Sequence, residues 1–99
     1  MFITKGQQYR INSTQVGFTN FSPIDILLVI KHIDYETDLL DVSPLPLPGS
    51  FPDDNFLNIV NWFKKEYPRE SKESSILKNI KDFEKLIATG RAVLYKDTQ

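Results

Sequence analysis

Apolar and polar residues alternate in the first part of the chain, which is the pattern of a strand with one buried face. Tyr9 and Ile11 alternate with the polar residues Gln8, Arg10 and Asn12, and Val16 and Phe18 repeat the same spacing. Successive side chains of a strand point to opposite faces of the sheet. The alternation therefore predicts short strands at both places.

The longest apolar run, residues 26–30, has no polar position. Such a run suits a central strand that is covered on both faces. Residues 22–25 also match a helix start, with a serine cap, a proline at the first helical position and an acid three residues after the cap. Five β-branched residues among positions 24–33 favour the strand, because branched side chains lose rotamer freedom in a helix.

The polar stretch 34–38 follows this run, and apolar residues return at 39–42. This order predicts a β-hairpin with a loop of four or five residues, since no Asn-Gly pair is present for a tighter turn. Residues 43–52 then form a proline-rich connector. We expect this connector to be extended and to end the regular structure, because proline cannot donate a ladder hydrogen bond.

Residues 53–90 have the spacing of two amphipathic helices. Asp53 is a suitable cap for the first helix, and Pro68 marks its end. Ser71 is the candidate cap of the second helix, and Gly90 stands where a left-handed terminator is expected. The apolar stripes of the two helices are Phe56, Val60, Phe63 and Tyr67 in the first and Ile76, Ile80, Phe83 and Ile87 in the second.

Residues 91–96 alternate again and predict a short strand at the sheet edge. Residues 1–47 are then mainly β, and residues 1–99 form a single domain. The short N-terminal strands, with a hairpin after an apolar run, resemble small SH3-like barrels. We therefore predict an α+β fold. It begins with a small antiparallel sheet or SH3-like partial barrel, and two helices and a C-terminal edge strand follow.

The composition removes several kinds of chemistry. The 99 residues include no cysteine and one histidine, which excludes disulfides, thiol catalysis and sulfur-bound zinc. Neither a serine nucleophile elbow nor a glycine-rich phosphate loop is present. No secretory leader pattern is visible, and the longest apolar run is far shorter than the roughly 20 residues that cross a bilayer. We expect a cytoplasmic protein without membrane contact, catalytic residues, cofactor or metal.

The formal charge of −1 is unevenly distributed along the chain. Residues 25–54 contain seven acids and one lysine, between two basic flanks. The candidate protein-binding residues of the predicted hairpin are Asp34, Tyr35, Glu36, Asp38 and Asp41. Their charge can steer docking to a partner protein with a basic surface. An ordinary solvated turn is the alternative interpretation.

Trp62 is a further candidate protein-binding residue. At 100° per residue it lies about 120° away from the apolar stripe of the first helix. It either packs on a second surface inside the fold or anchors an interface, where tryptophan contributes much of the binding energy. A small domain also gains buried apolar surface by homo-oligomerisation, which is a further expectation.

The sequence thus favours a non-catalytic cytosolic protein-binding module, acting as an adaptor, an inhibitor or a small subunit of a larger assembly. The alternative is a nucleic-acid-associated protein in which basic side chains hold phosphates beside aromatic rings. The residues for that alternative are Lys64, Lys65, Arg69 and Lys72, although interleaved acids nearly cancel their charge. The third class is a small metal-dependent hydrolase, with His32 and the acids at alternate positions after it as the residues for a cation.

Overall fold

The computed structural model describes residues 3–16, 23–49, 54–66 and 76–97. Their strands form one antiparallel sheet in the order β4-β3-β2-β1-β5. The elements are β1 (Gln8–Asn12), a short 3₁₀ turn (Ser13–Val16), β2 (Asp25–Asp34), β3 (Leu39–Leu45), α1 (Asp54–Glu66), β4 (Ile76–Asn79), α2 (Ile80–Ala88) and β5 (Ala92–Lys96). A small antiparallel sheet with helices is an α+β architecture, which confirms the predicted class. The SH3-like alternative is not confirmed, because β4 and β5 lie at opposite edges of the sheet.

The apolar run after residue 25 forms the central strand, as its β-branched residues predict. In β2, Leu28 lies opposite Tyr9 of β1, and Ile30 lies opposite Val42 of β3. A bulge between Ile30 and His32 shifts the register toward the hairpin. The alternative that residues 22–34 begin a helix is therefore wrong for the described residues, because both neighbouring strands hydrogen-bond to this segment.

Both described helices contribute to one core on a single face of the sheet. Ile59 of α1 and Phe83 of α2 are completely buried in it. The Phe83 ring meets the Tyr9 ring edge to face, with centroids 5.2 Å apart. Aromatic pairs in this geometry stabilise the fold beyond their burial. The core residues of the sheet on this face include Tyr9, Ile11, Ile26, Leu28, Ile30, Leu40, Val42 and Ala92.

The predicted hairpin is present, with a turn at residues 35–38 between β2 and β3. Asp38 adopts φ of 60°, in the left-handed region that aspartate tolerates better than most side chains. Its carbonyl oxygen accepts a hydrogen bond from the Ile80 backbone amide at 3.1 Å. This bond fixes the hairpin turn against the start of α2.

The prediction that regular structure ends before residue 43 is wrong by three residues, because β3 extends to Leu45. Pro44 is buried within β3, opposite Leu28. The Ile30 amide donates to the Gln7 carbonyl at 2.9 Å, so residues of the same parity in β2, including Leu28, direct their backbone groups toward β1. Leu28, the residue opposite Pro44, therefore directs no hydrogen bond toward β3. The Pro44 ring nitrogen points away from β2, to the side of β3 on which β4 lies. Since β4 pairs only with Leu39–Val42, proline removes no ladder bond there.

The predicted start of the second helix is also wrong. Residues 76–79 form β4, which pairs with the outer edge of β3, and α2 begins only at Ile80. The Asn79 side chain caps α2 by accepting hydrogen bonds from the amides of Lys81 and Asp82. Ile76 has the helical spacing of the later apolar residues. It nevertheless lies in a strand, because the backbone at the edge of β3 pairs with residues 76–79. The predicted cap Ser71 lies outside the described residues, as do Asp53 and Pro68.

Two smaller predictions have different outcomes. Val16 belongs to the 3₁₀ turn rather than to a second alternating strand, and Phe18 lies outside the described residues. Gly90 ends α2 as predicted, with φ of 77°. Its amide donates to the Ile87 carbonyl, and the Arg91 amide donates to the Leu86 carbonyl, which is the Schellman arrangement. This turn leads the chain directly into β5.

Candidate protein-binding surfaces

The hairpin turn brings four of the predicted binding residues together. Asp34 begins the turn, and its Oδ1 accepts hydrogen bonds from the amides of Glu36 at 3.1 Å and Thr37 at 3.3 Å. Hydrogen bonds from the Thr37 side chain and backbone and from the Glu36 amide hold the pKa of Asp34 below its ordinary value. The turn is therefore ordered by a carboxylate that stays charged in mildly acidic solution.

Contacts on two sides hold the same turn in place. The Tyr35 hydroxyl donates to the Ile3 carbonyl at 3.3 Å, while the Tyr35 residue remains 69% exposed. On the other side, the Asp38 carbonyl accepts the Ile80 amide. Glu36 is exposed between these anchors. The structure therefore presents an aromatic ring and carboxylates at one fixed position.

Asp41 differs from the other acids of the hairpin. It lies within β3 opposite His32, and only 6% of its surface is exposed. Asp41 belongs to the strand and not to the turn, so its side chain projects from a face of the sheet rather than from the tip of the hairpin. The structure thus groups Asp34, Glu36 and Asp38 with Tyr35, and it places Asp41 apart.

The remaining predicted binding residues are not described at the side-chain level. Trp62, Lys64 and Lys65 belong to α1, but their side chains lie outside the described part of the structure. Arg69 and Lys72 lie outside it entirely. The interface role of Trp62 and the nucleic-acid alternative therefore stay predictions.

The cation site of the hydrolase alternative does not form among the described residues. His32 is exposed on β2, and the Asp34 carboxylate is engaged by amides of its own turn. Across the described ranges, no three histidine, cysteine or acidic side chains are arranged to hold a metal ion.

A further exposed apolar surface lies on β5, and sequence reasoning did not identify it. Val93, Leu94 and Tyr95 are consecutive, and they are 55%, 45% and 47% exposed. The alternation of residues 91–96 predicted a strand, but this pattern does not show whether the apolar side chains of the strand are covered or exposed. Exposure follows from the position of β5 at the edge of the sheet, which depends on pairing with β1 more than 80 residues earlier.

Part of this surface continues onto the sheet face opposite the helix-side core, which we call the second face. Leu27 is buried on it, so this face is covered in part. A row across it runs from Leu45 through Leu27 and Arg10 to Val93. The Arg10 guanidinium donates to Asp25 Oδ2 at 2.9 Å, and both side chains are substantially exposed. Hydrogen bonds from Arg10 and then Asn12 lower the pKa of Asp25. Such an exposed pair adds little to stability.

A buried hydrogen-bond network supports β5 from the core side. Gln7 Oε1 accepts from the Thr4 amide and the Tyr9 hydroxyl, both at 2.9 Å. Gln7 Nε2 donates to Asp97 Oδ1 at 3.0 Å, just beyond the end of β5. Burial, and then the negative charge of Asp97, raises the pKa of Tyr9. The network therefore positions the C-terminal end of the exposed strand.

Two further observations concern the molecule as a whole. Within the described ranges, neither helix combines the length and the apolar character needed to span a bilayer. Comparison of the chain with protein-family models, with curated proteins and with solved structures found no match.

Proposed function

We propose that this chain is a protein-binding module that acts by surface contact, as an adaptor, an inhibitor or a small subunit of a larger assembly. The observation that carries the proposal is the exposed apolar run Val93–Tyr95 on the edge strand β5. Single exposed apolar residues are common on protein surfaces, but three of them gathered along one sheet edge support an interaction site. Tyrosine is also enriched among the residues that dominate binding energy.

The anchored hairpin turn supports the same proposal as a second contact region. Its residues Tyr35 and Glu36 are exposed while hydrogen bonds to Ile3 and Ile80 hold the turn. A preorganised surface loses little conformational entropy when a partner binds. The acidic character of the turn would direct a partner with a basic surface to this end of the sheet.

The test replaces the apolar side chains of β5 without changing their strand preference. Val93→Thr combined with Tyr95→Thr keeps β-favouring residues but removes most of the apolar contact. Loss of one anchoring tyrosine at an interface commonly costs about 2 kcal/mol, which is about thirtyfold in affinity. We therefore expect proteins that cross-link to the wild-type chain in its native cell extract, identified by mass spectrometry, to be lost with the double variant.

The matched control is Leu57→Thr, which removes a similarly exposed apolar side chain from α1, 49% exposed. This control should retain the same partners, and circular dichroism should show that both variants fold. Equal retention by the β5 double variant and by the wild type would contradict the proposal. The same conclusion would follow if the wild type captured nothing beyond what an unrelated bait captures.

A further inference from the structure

The outer edge of β5 carries backbone groups, at defined positions, that no described residue pairs. The Ile30 amide donates to Gln7 and the Ser13 amide donates to Ile24, so odd-numbered residues of β1 direct their hydrogen bonds toward β2. Arg10 must then direct its groups toward β5, where Val93 is its partner. Antiparallel strands alternate in this respect. The backbone amides and carbonyls of Ala92 and Leu94 therefore point away from the sheet.

A bulge limits how far an added strand could pair. Tyr9 lies opposite Leu94, whereas Gln8 lies opposite Lys96, so Tyr95 is an extra residue in β5. Bulges of this kind interrupt the regular alternation and often protect sheet edges. The regular pairing edge therefore consists of Ala92 to Leu94, enough for up to four backbone hydrogen bonds with an antiparallel segment.

Apolar side chains border this edge on both faces of the sheet. Val93 lies on the second face beside Arg10, and Leu94 lies on the helix face beside Tyr9. Both are about half exposed. An added strand with apolar residues at alternate positions could cover one of them on each face. Main-chain hydrogen bonds and side-chain contacts are combined in this way when peptides bind by strand addition.

The charges at the two ends of the edge indicate the occupant. Arg91 and Lys96 are both exposed, and neither side chain forms an ion pair or hydrogen bond with the described residues. The nearby acid, Asp97, hydrogen-bonds to Gln7 on the helix face. If two copies paired through Ala92 and Leu94, Arg91 would lie opposite Tyr95 of the other copy and next to its Lys96. This repulsion disfavours self-pairing through β5.

We propose that β5 accepts an extended segment of another protein as a sixth strand, with alternating apolar residues and acidic residues at both ends. This inference rests on the proposed protein-binding function and specifies how the partner binds. The acidic ends would pair with Arg91 and Lys96, and the central residues would hydrogen-bond to Ala92 and Leu94.

The experiment uses a synthetic seven-residue peptide of alternating valine and threonine with an aspartate at each end. Titration into the isotope-labelled protein should protect the amides of Ala92 and Leu94 from hydrogen exchange, while the Val93 amide, already bonded to β1, changes little. A peptide with lysine ends should bind at least about tenfold more weakly. The variant Arg91→Glu with Lys96→Glu should reverse this preference.

A second peptide separates strand addition from side-chain docking. It has the same side chains but carries N-methyl groups on its three central amides, so it cannot form the ladder. We expect it to lose at least about tenfold in affinity. Equal binding of the methylated peptide, or no binding of the unmethylated one, would overturn strand addition. Protection of Ala92 and Leu94 that rises with protein concentration alone would identify a second copy as the occupant and would also overturn it.

These outcomes are distinct from a failure of the proposed function. If the double variant loses its partners but the peptides do not bind, the chain is still a protein-binding module, and it binds through its side chains alone. Partners retained by that double variant would contradict the module itself, whatever the peptides do.

Discussion

At the residue scale, Tyr9 contacts the helix-side core and also a hydrogen-bond network that includes residues near the start and the end of the described chain. Its ring packs edge to face on Phe83, and its hydroxyl donates to Gln7, which also binds Asp97. Only 2% of Tyr9 is exposed. Burial and the Asp97 carboxylate raise its pKa, because both disfavour the phenolate.

The raised pKa of Tyr9 predicts a loss of stability in alkaline solution. In the unfolded chain, tyrosine titrates near pH 10. Above about this pH the unfolded state loses the Tyr9 proton while the folded state still retains it, so unfolding becomes more favourable. Below about pH 10 both states are protonated and the contribution is complete. Urea unfolding between pH 8 and about pH 11 should show this fall.

The variant Tyr9→Phe should lose about 1 kcal/mol at neutral pH, because its hydrogen bond to Gln7 is removed. Its stability should then fall less steeply than that of the wild type above about pH 10. Tyr35→Phe is the matched control, since it removes a largely exposed phenol and retains Tyr9. An unchanged alkaline slope in Tyr9→Phe would show that Tyr9 does not cause the fall.

At the element scale, the junction between β4 and α2 depends on one side chain. Asn79 ends the strand and caps the helix, with Oδ1 accepting from the Lys81 amide at 2.9 Å and the Asp82 amide at 3.2 Å. The backbone of Asn79 is extended, as a cap residue requires. Asn79 thus lies where the chain changes from strand to helix and stabilises the first turn of the helix.

Replacing this cap predicts a measurable loss of stability. Asn79→Ala should destabilise the protein by about 1 kcal/mol in urea unfolding, because two amides of the first turn lose their acceptor. Asn79→Asp is the control and should be close to wild type, since aspartate is an equally good cap. A loss in Asn79→Asp equal to that in Asn79→Ala would contradict the capping role.

The same junction shows why sequence patterns predicted some elements and missed others. Ile76 and Ile80 have the helical spacing, so the pattern extends the second helix too far. The strand at Ile76–Asn79 forms because β3 presents an open edge there, which is a contact between distant parts of the chain. The central strand and Gly90 were predictable because their signals are local: β-branched residues in one case and a left-handed terminator in the other.

The candidate surface was predictable only in part for a related reason. The acids around Tyr35 are adjacent in sequence, so a turn that groups them follows from local polarity. The exposure of Val93, Leu94 and Tyr95 depends instead on which strand occupies the sheet edge. No property of the segment 92–96 distinguishes an edge strand with apolar exposure from one covered by a neighbour.

At the scale of the whole molecule, the sheet contains strand pairs that are close in sequence and strand pairs that are distant in sequence. β1, β2 and β3 follow one another along the chain and pair as neighbours. By contrast, β5 pairs with β1 across most of the sequence, with Ala92 opposite Ile11. Closing a long loop costs entropy before the pairing is gained, so distant pairs tend to form late.

This division predicts different kinetic effects for substitutions in the two regions. Ile30→Val, in the central strand, should destabilise by about 1 kcal/mol and mainly slow folding. Ala92→Gly, in β5, should cost a similar amount and mainly accelerate unfolding. Stopped-flow measurements in urea would separate the two. A folding rate reduced by Ala92→Gly as much as by Ile30→Val would show that β5 pairs before the transition state.

Pro44 has a consequence for how copies of this protein behave when concentrated. Fibres that grow by edge-to-edge strand pairing need a sheet edge that can pair on both sides of every molecule. On the side away from β5, the border ends in a four-residue strand, and beyond it Pro44 has no donor to offer. Edge-to-edge growth on that side is therefore limited to the four residues of β4, which disfavours amyloid-like assembly even though the opposite border remains accessible.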